Sequence, residues 1–165
     1  FQNIIINIKY MTISTIRGGK GKLIKTRGTR KNISSSSNYK EHIVKTFLQF
    51  LITVKLYHWN TSSYSTHKAT DDLYSKLNEG IDSFVEVLLG KNSGSRINIS
   101  KSQSISLRNY NSNTEIKKQV NEFKRYLVGL NSNPNLKNKE NSDLFNIRDE
   151  ILQNLDQFLY LLSLK

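Results

Sequence analysis

The chain has 165 residues, with 25 Lys or Arg against 13 Asp or Glu and a net charge of +12, a size suited to one domain with its own core. It has no cysteine, which excludes disulfides, zinc–thiolate sites and thiol catalysis. No apolar run approaches the roughly 18 residues that a membrane span needs.

Residues 1–10 read FQNIIINIKY, and the first methionine is Met11; we expect the native protein to start there. A secretory signal is disfavoured: the apolar core IIINI is short, broken by Asn7, and not preceded by a positive region. Residues 1–40 carry nine Lys or Arg and no acid, so three quarters of the excess charge lies in the first quarter of the chain. Residues 12–40 show neither a period of 2 nor one of 3.6, and they are rich in Gly, Ser, Thr and cations. That composition predicts a disordered basic arm over residues 1–39. A basic arm suits a polyanion. Arg17, Lys20, Lys22, Lys25, Arg27, Arg30 and Lys31 are the candidate nucleic-acid contacts. They would act by counterion release, without sequence specificity, because no folded reading element is present. Gly18-Gly19-Lys20-Gly21-Lys22 lacks the strand, the helix and the Ser/Thr of a phosphate loop and reads as tail.

Residues 40–165 predict an all-α domain of four helices. The first spans 40–59, where Ile43, Phe47, Phe50, Val54 and His58 keep helical spacing and Val44, Leu48, Leu51 and Ile52 widen the apolar side. A short polar connection follows, with Ser65 or Thr66 as the expected cap of the second helix. That helix runs to about Leu89 and stops at Gly90. Gly80 within it costs about 1 kcal/mol relative to Ala and suggests a close approach at an interface. Residues 91–113 form a long polar linker with four cations and no acid. This is the crossover of an up-up-down-down bundle, whose third helix must start at the far end. The third helix covers 114–130, capped by Thr114. The fourth starts near Ser142 or Asp143 and runs to Leu162. Its apolar end, FLYLLSL, is broader than one bundle face needs and predicts packing against neighbouring subunits.

The chemistry gathers between His58 and Glu86. His67, Asp71, Asp82 and Glu86 fall within about 100° of one another on a helical wheel. Leu73, Leu77, Ile81, Phe84, Val85 and Leu88 take the opposite stripe, toward the core. The ligand-type face therefore points away from the chain's own core, and a metal there needs ligands from elsewhere, most simply a second copy. Imidazole and carboxylate donors without thiols suit Fe(II), with Mn(II) and Zn(II) also admissible. The chain has no Glu-x-x-His and no His-Glu-x-x-His. These absences disfavour a di-iron centre inside one bundle and a zinc protease.

The pattern His58-Trp59-Asn60, then His67-x3-Asp71-x10-Asp82-x3-Glu86, resembles the Dps proteins, the mini-ferritins of the ferritin-like superfamily. HKATDDLY and VEVLLGKN are most similar to Dps-like proteins of large DNA viruses. The likeness covers roughly residues 40–165 and includes NLDQFLY in the last helix. It implies a ferritin-like four-helix bundle with a short helix in the crossover, assembled as a hollow dodecamer. It also implies ferroxidase sites between subunits. One subunit supplies His58 and His67, the other the carboxylates Asp71, Asp82 and Glu86, with Trp59 beside the ligands. The expected function is oxidation of Fe(II) by peroxide or oxygen, storage of Fe(III), and DNA binding and protection through the arm under oxidative stress. Such a protein would be cytoplasmic or nucleoid-associated, or belong to a viral factory or virion. The His58–His67 connection is shorter than in bacterial members. That departure favours the alternative, a catalytically reduced DNA-condensing or virion-associated protein of the same fold.

Overall fold

In the computed structural model, residues 35–91, 96–97, 104–137 and 139–164 are described, all within one compact unit, 32–165. The proposed basic arm lies outside them, apart from residues 35–39. Four helices carry the fold: α1 (Ser35–Asn60), α2 (Tyr64–Gly90), α3 (Asn113–Gly129) and α4 (Ser142–Leu161). Short 3-10 turns at Leu130–Ser132 and Lys139–Asn141 link the last two. There is no strand among the described residues.

Each helix buries the stripe that its sequence spacing marks. On α2 this is Leu73, Leu77, Ile81, Phe84 and Leu88, extended upstream by Thr66 and Thr70. Phe47 of α1 is fully buried at the centre. Its ring meets Phe84 edge-on at 5.1 Å and Phe123 at 5.7 Å, while Phe50 stacks on Phe123 at 4.0 Å. Each such side chain contributes about 1.5–3 kcal/mol by leaving water.

The helices form a ring in the order α1–α2–α4–α3, in which α1 does not meet α4 and α2 does not meet α3. Neighbours are antiparallel throughout. His58 meets His67 while Phe47 meets Phe84. Tyr57 bonds Asn113 while His42 meets Tyr126. Lys76 bonds Gln157, whereas Gly80 abuts Ile151. Lys124 pairs with Asp156, whereas Arg148 reaches Asn131. The directions are thus up-down-down-up, which corrects the expected up-up-down-down. The physical reason is the three-residue turn after α1, which can only send α2 back along it. The long crossover then carries the chain the length of the bundle, so that α3 starts level with α2. Residues 96–97 and 104–111 of this crossover have no regular helix, and the rest of the expected short helix lies outside the described residues.

Two caps also differ from expectation. Ser63, not Ser65 or Thr66, caps α2, its Oγ accepting from the Thr66 amide at 3.4 Å. Ser112, not Thr114, caps α3 in a complete capping box with Glu115. The Ser112 hydroxyl, then the Asn111 amide, bond the Glu115 carboxylate and hold its pKa below the ordinary value. At the far end of α3, the buried Arg148 donates to Asn131 Oδ1 at 2.7 Å and to the Leu127 carbonyl at 3.5 Å. It thereby adds a side-chain donor to a carbonyl that the Leu130 amide also reaches at the helix end. Gly80 does serve a close approach, but inside the chain: a Cβ there would lie 2.9 Å from Ile151 Cγ1. In the last apolar segment Phe158 and Leu162 are buried in the chain's own core, while Tyr160, Leu161 and Leu164 are exposed.

Candidate metal centre at the first helical turn

The turn from α1 to α2 is pinned at both ends. The Thr61 amide closes on the Tyr57 carbonyl at 3.0 Å, and the His67 amide reaches the Ser63 carbonyl at 2.8 Å. This tight reversal sets the last turn of α1 against the first of α2, and His58 and His67 stack there with ring centroids 3.9 Å apart. The short connection therefore brings the two imidazoles together.

Their hydrogen bonds are reciprocal. His58 Nδ1 donates to the His67 carbonyl at 3.1 Å, and His67 Nδ1 donates to the His58 carbonyl at 3.0 Å. A carbonyl oxygen only accepts, so each Nδ1 carries the proton, and in the neutral ring Nε2 keeps the lone pair. Backbone carbonyls in this role fix the tautomer and orientation of metal-binding imidazoles. Thr70, fully buried, braces the pair. Its hydroxyl lies 2.8 Å from the Thr66 carbonyl and 2.9 Å from that of His67, with His58 Nδ1 3.3 Å from its oxygen.

Asp71, one turn beyond His67, turns toward the same place: its Oδ1 lies 3.8 Å from His58 Nε2. A metal about 2.1 Å from each donor spans at most about 4.2 Å between them, so this separation fits one shared ion. Lys55 Nζ approaches the same Asp71 oxygen at 4.0 Å. Its ammonium also lies 4.5 Å from the centroid of the Tyr74 ring and 5.8 Å from that of Trp59.

The five acids and imidazoles read from the sequence are not one cluster in one chain. Asp82 and Glu86 lie on the same side of α2 and are exposed. At 1.5 Å per residue, however, they sit roughly 16 and 22 Å along the axis from Asp71. Asp71 therefore lies beside His58 of its own chain and apart from the other two acids. Among the described residues no group of three His, Asp or Glu in one chain is placed to hold a metal. His58, His67 and Asp71 form at most half of a centre. Trp59 is 66% exposed and flanks Lys55. The arm residues Arg17 to Lys31 lie outside the described residues. Lys55, Thr70 and Tyr74 escaped the sequence reading. Thr70 falls on the wheel among the apolar stripe, and Lys55 lies three residues before His58; only those positions hinted at them.

The fold is an all-helical four-helix bundle with a candidate half-site at its first turn. The chain belongs to a family of unknown function, DUF5856, whose model matches residues 58–162. The matched stretch starts at His58 and takes in all five candidate ligands. No curated protein and no solved structure matches the chain.

Proposed function

We propose that this protein is a Dps-like member of the ferritin-like superfamily. It oxidises Fe(II) between subunits, stores the Fe(III) product and binds DNA non-specifically through its basic arm. The observation that carries this reading is the reciprocal His58–His67 pair, which leaves both Nε2 atoms without a proton, that of His58 3.8 Å from Asp71 Oδ1. Asp82 and Glu86 of a second copy would complete the ligand set, with iron as substrate; Mn(II) or Zn(II) suits the same donors. Two Fe(II) would give one electron each to one hydrogen peroxide, whose O–O bond breaks to leave two Fe(III) and two hydroxides, which two protons convert to water. Carboxylates bind both iron oxidation states, and the imidazoles contribute neutral donors. A four-helix ring with one long crossover is compatible with a ferritin-like bundle.

A homo-oligomer follows from the incompleteness of the half-site, and a dodecamer from the resemblance. No helix among the described residues is long and apolar enough to cross a membrane. The proposed setting is the cytoplasm or nucleoid, or a viral factory or virion, in protection against oxidative stress. The second reading, a DNA-condensing or virion-associated protein with reduced catalysis, is favoured by the ammonium of Lys55 at Asp71. Anaerobic Fe(II) titration followed by peroxide separates the two. Ferric absorbance that disappears in Asp71→Ala with Glu86→Ala supports the oxidase. Its absence, with arm-dependent DNA binding retained, supports the structural reading.

A further inference from the structure

We propose that Lys55 is a built-in cation that occupies Asp71 until a metal ion displaces it, with Tyr74 and Trp59 holding the displaced ammonium beside the half-site. The inference rests on the reading of His58, His67 and Asp71 as metal ligands. Lys55 and His58 stand three residues apart on α1, so they share one face of the helix. One oxygen of Asp71 has both as neighbours, the imidazole Nε2 at 3.8 Å and the ammonium at 4.0 Å. A divalent ion between His58 and Asp71 would therefore lie close to a like charge. That repulsion weakens binding by about tenfold at a partly exposed site. The lysine stem is flexible, with three rotatable donors at its tip. The Tyr74 ring, 4.5 Å away, and the Trp59 ring, 5.8 Å away, each present a face that attracts a cation. The ammonium already lies against both rings at its Asp71 position, so it keeps these partners when a metal takes the carboxylate. Lys55 balances the carboxylate when no metal is bound and sets the threshold at which metal enters.

The test uses the full chain, as wild type, Lys55→Met, Lys55→Gln, Lys55→Arg and His58→Ala. Each is titrated with Co(II) without oxygen, read by its visible absorption. Zn(II) is added separately and read by the emission of Trp59, the single tryptophan. We expect Lys55→Met and Lys55→Gln to bind Co(II) about tenfold more tightly than wild type, Lys55→Arg to stay near wild type, and His58→Ala to lose binding. Zn(II) should shift Trp59 emission in wild type and leave it unmoved in Lys55→Met. Equal affinity in wild type and both neutral variants overturns the inference and leaves the metal reading standing. Binding that survives His58→Ala removes the half-site and the inference together. Binding by the neutral variants alone overturns displacement of Lys55 by the metal and ends iron oxidation by the native chain. Binding by none of them overturns both.

Discussion

His58 and His67 each hold the other's backbone carbonyl through Nδ1, at 3.1 and 3.0 Å. Two aromatic rings thereby clasp a turn and keep each Nε2 without a proton. The first prediction concerns the proton. In 15N NMR of the neutral rings, both histidines should show a protonated Nδ1 and a bare Nε2. A protonated Nε2 on either ring would contradict the clasp and leave no lone pair for a metal.

Thr70 is predicted to position this pair. Thr70→Val keeps the shape but removes a buried hydroxyl that serves the Thr66 and His67 carbonyls. Urea unfolding should show a loss of about 1 kcal/mol, and the His58 ring signals should broaden or shift. Thr70→Ser should restore both, whereas a mere packing role would leave the ring signals where they were.

Gly80 has no room for a methyl group. Its Cβ would meet Ile151 Cγ1 at 2.9 Å, and Ile151 is 1% exposed. Gly80→Ala gains helix propensity of about 1 kcal/mol but overpacks the α2–α4 contact by about 1–3 kcal/mol. The net effect should be destabilising. Combined with Ile151→Ala, the double variant should lose less than the sum of the two single losses, and strict additivity would show that the contact is not tight.

The acid limb of stability should carry a signature of the α3 cap. Glu115 is held below its ordinary value of 4.5, first by the Ser112 hydroxyl and then by the Asn111 amide. A carboxyl whose folded pKa is depressed stabilises the fold fully above its unfolded pKa. It loses that contribution as pH falls through the folded pKa. Asp143, bonded to Lys91, behaves in the same sense. Denaturation across pH should therefore find wild type ahead of Glu115→Gln at neutrality and the gap closing below the ordinary glutamate range. A gap that widens toward acid would reverse the sign.

For the arm, deletion of residues 1–31 removes eight cations. Gel shifts with duplex DNA should then weaken, and the dependence of affinity on salt should flatten by as much as about seven logarithmic units of slope. Unchanged binding would move the DNA contact to the helical domain.

The four helices were legible because each keeps an apolar period over many turns, as Leu73, Leu77, Ile81, Phe84 and Leu88 do on α2. The caps were less so. Runs such as Ser62 to Thr66 and Ser112 to Thr114 offer several side chains able to cap. At α3, Glu115 decides for Ser112 by completing the reciprocal bond. Helix directions hinged on the length of one turn. The candidate site was half legible for a geometric reason. A helical wheel gives the angle of a side chain and discards its height, so Asp71 and Glu86 looked like neighbours though four turns separate them. Lys55 and Thr70 belong to residue types usually found in solvent or at helix edges, and only tertiary placement brings them to the histidines.

That difference in height along α2 has a consequence for how ions are counted. If the lower acids of one chain serve the upper imidazoles of another, a twofold pair makes two centres at once and a lone chain makes none. Loading would then depend on the square of protein concentration, and simple dilution, with no chelator added, should empty the protein.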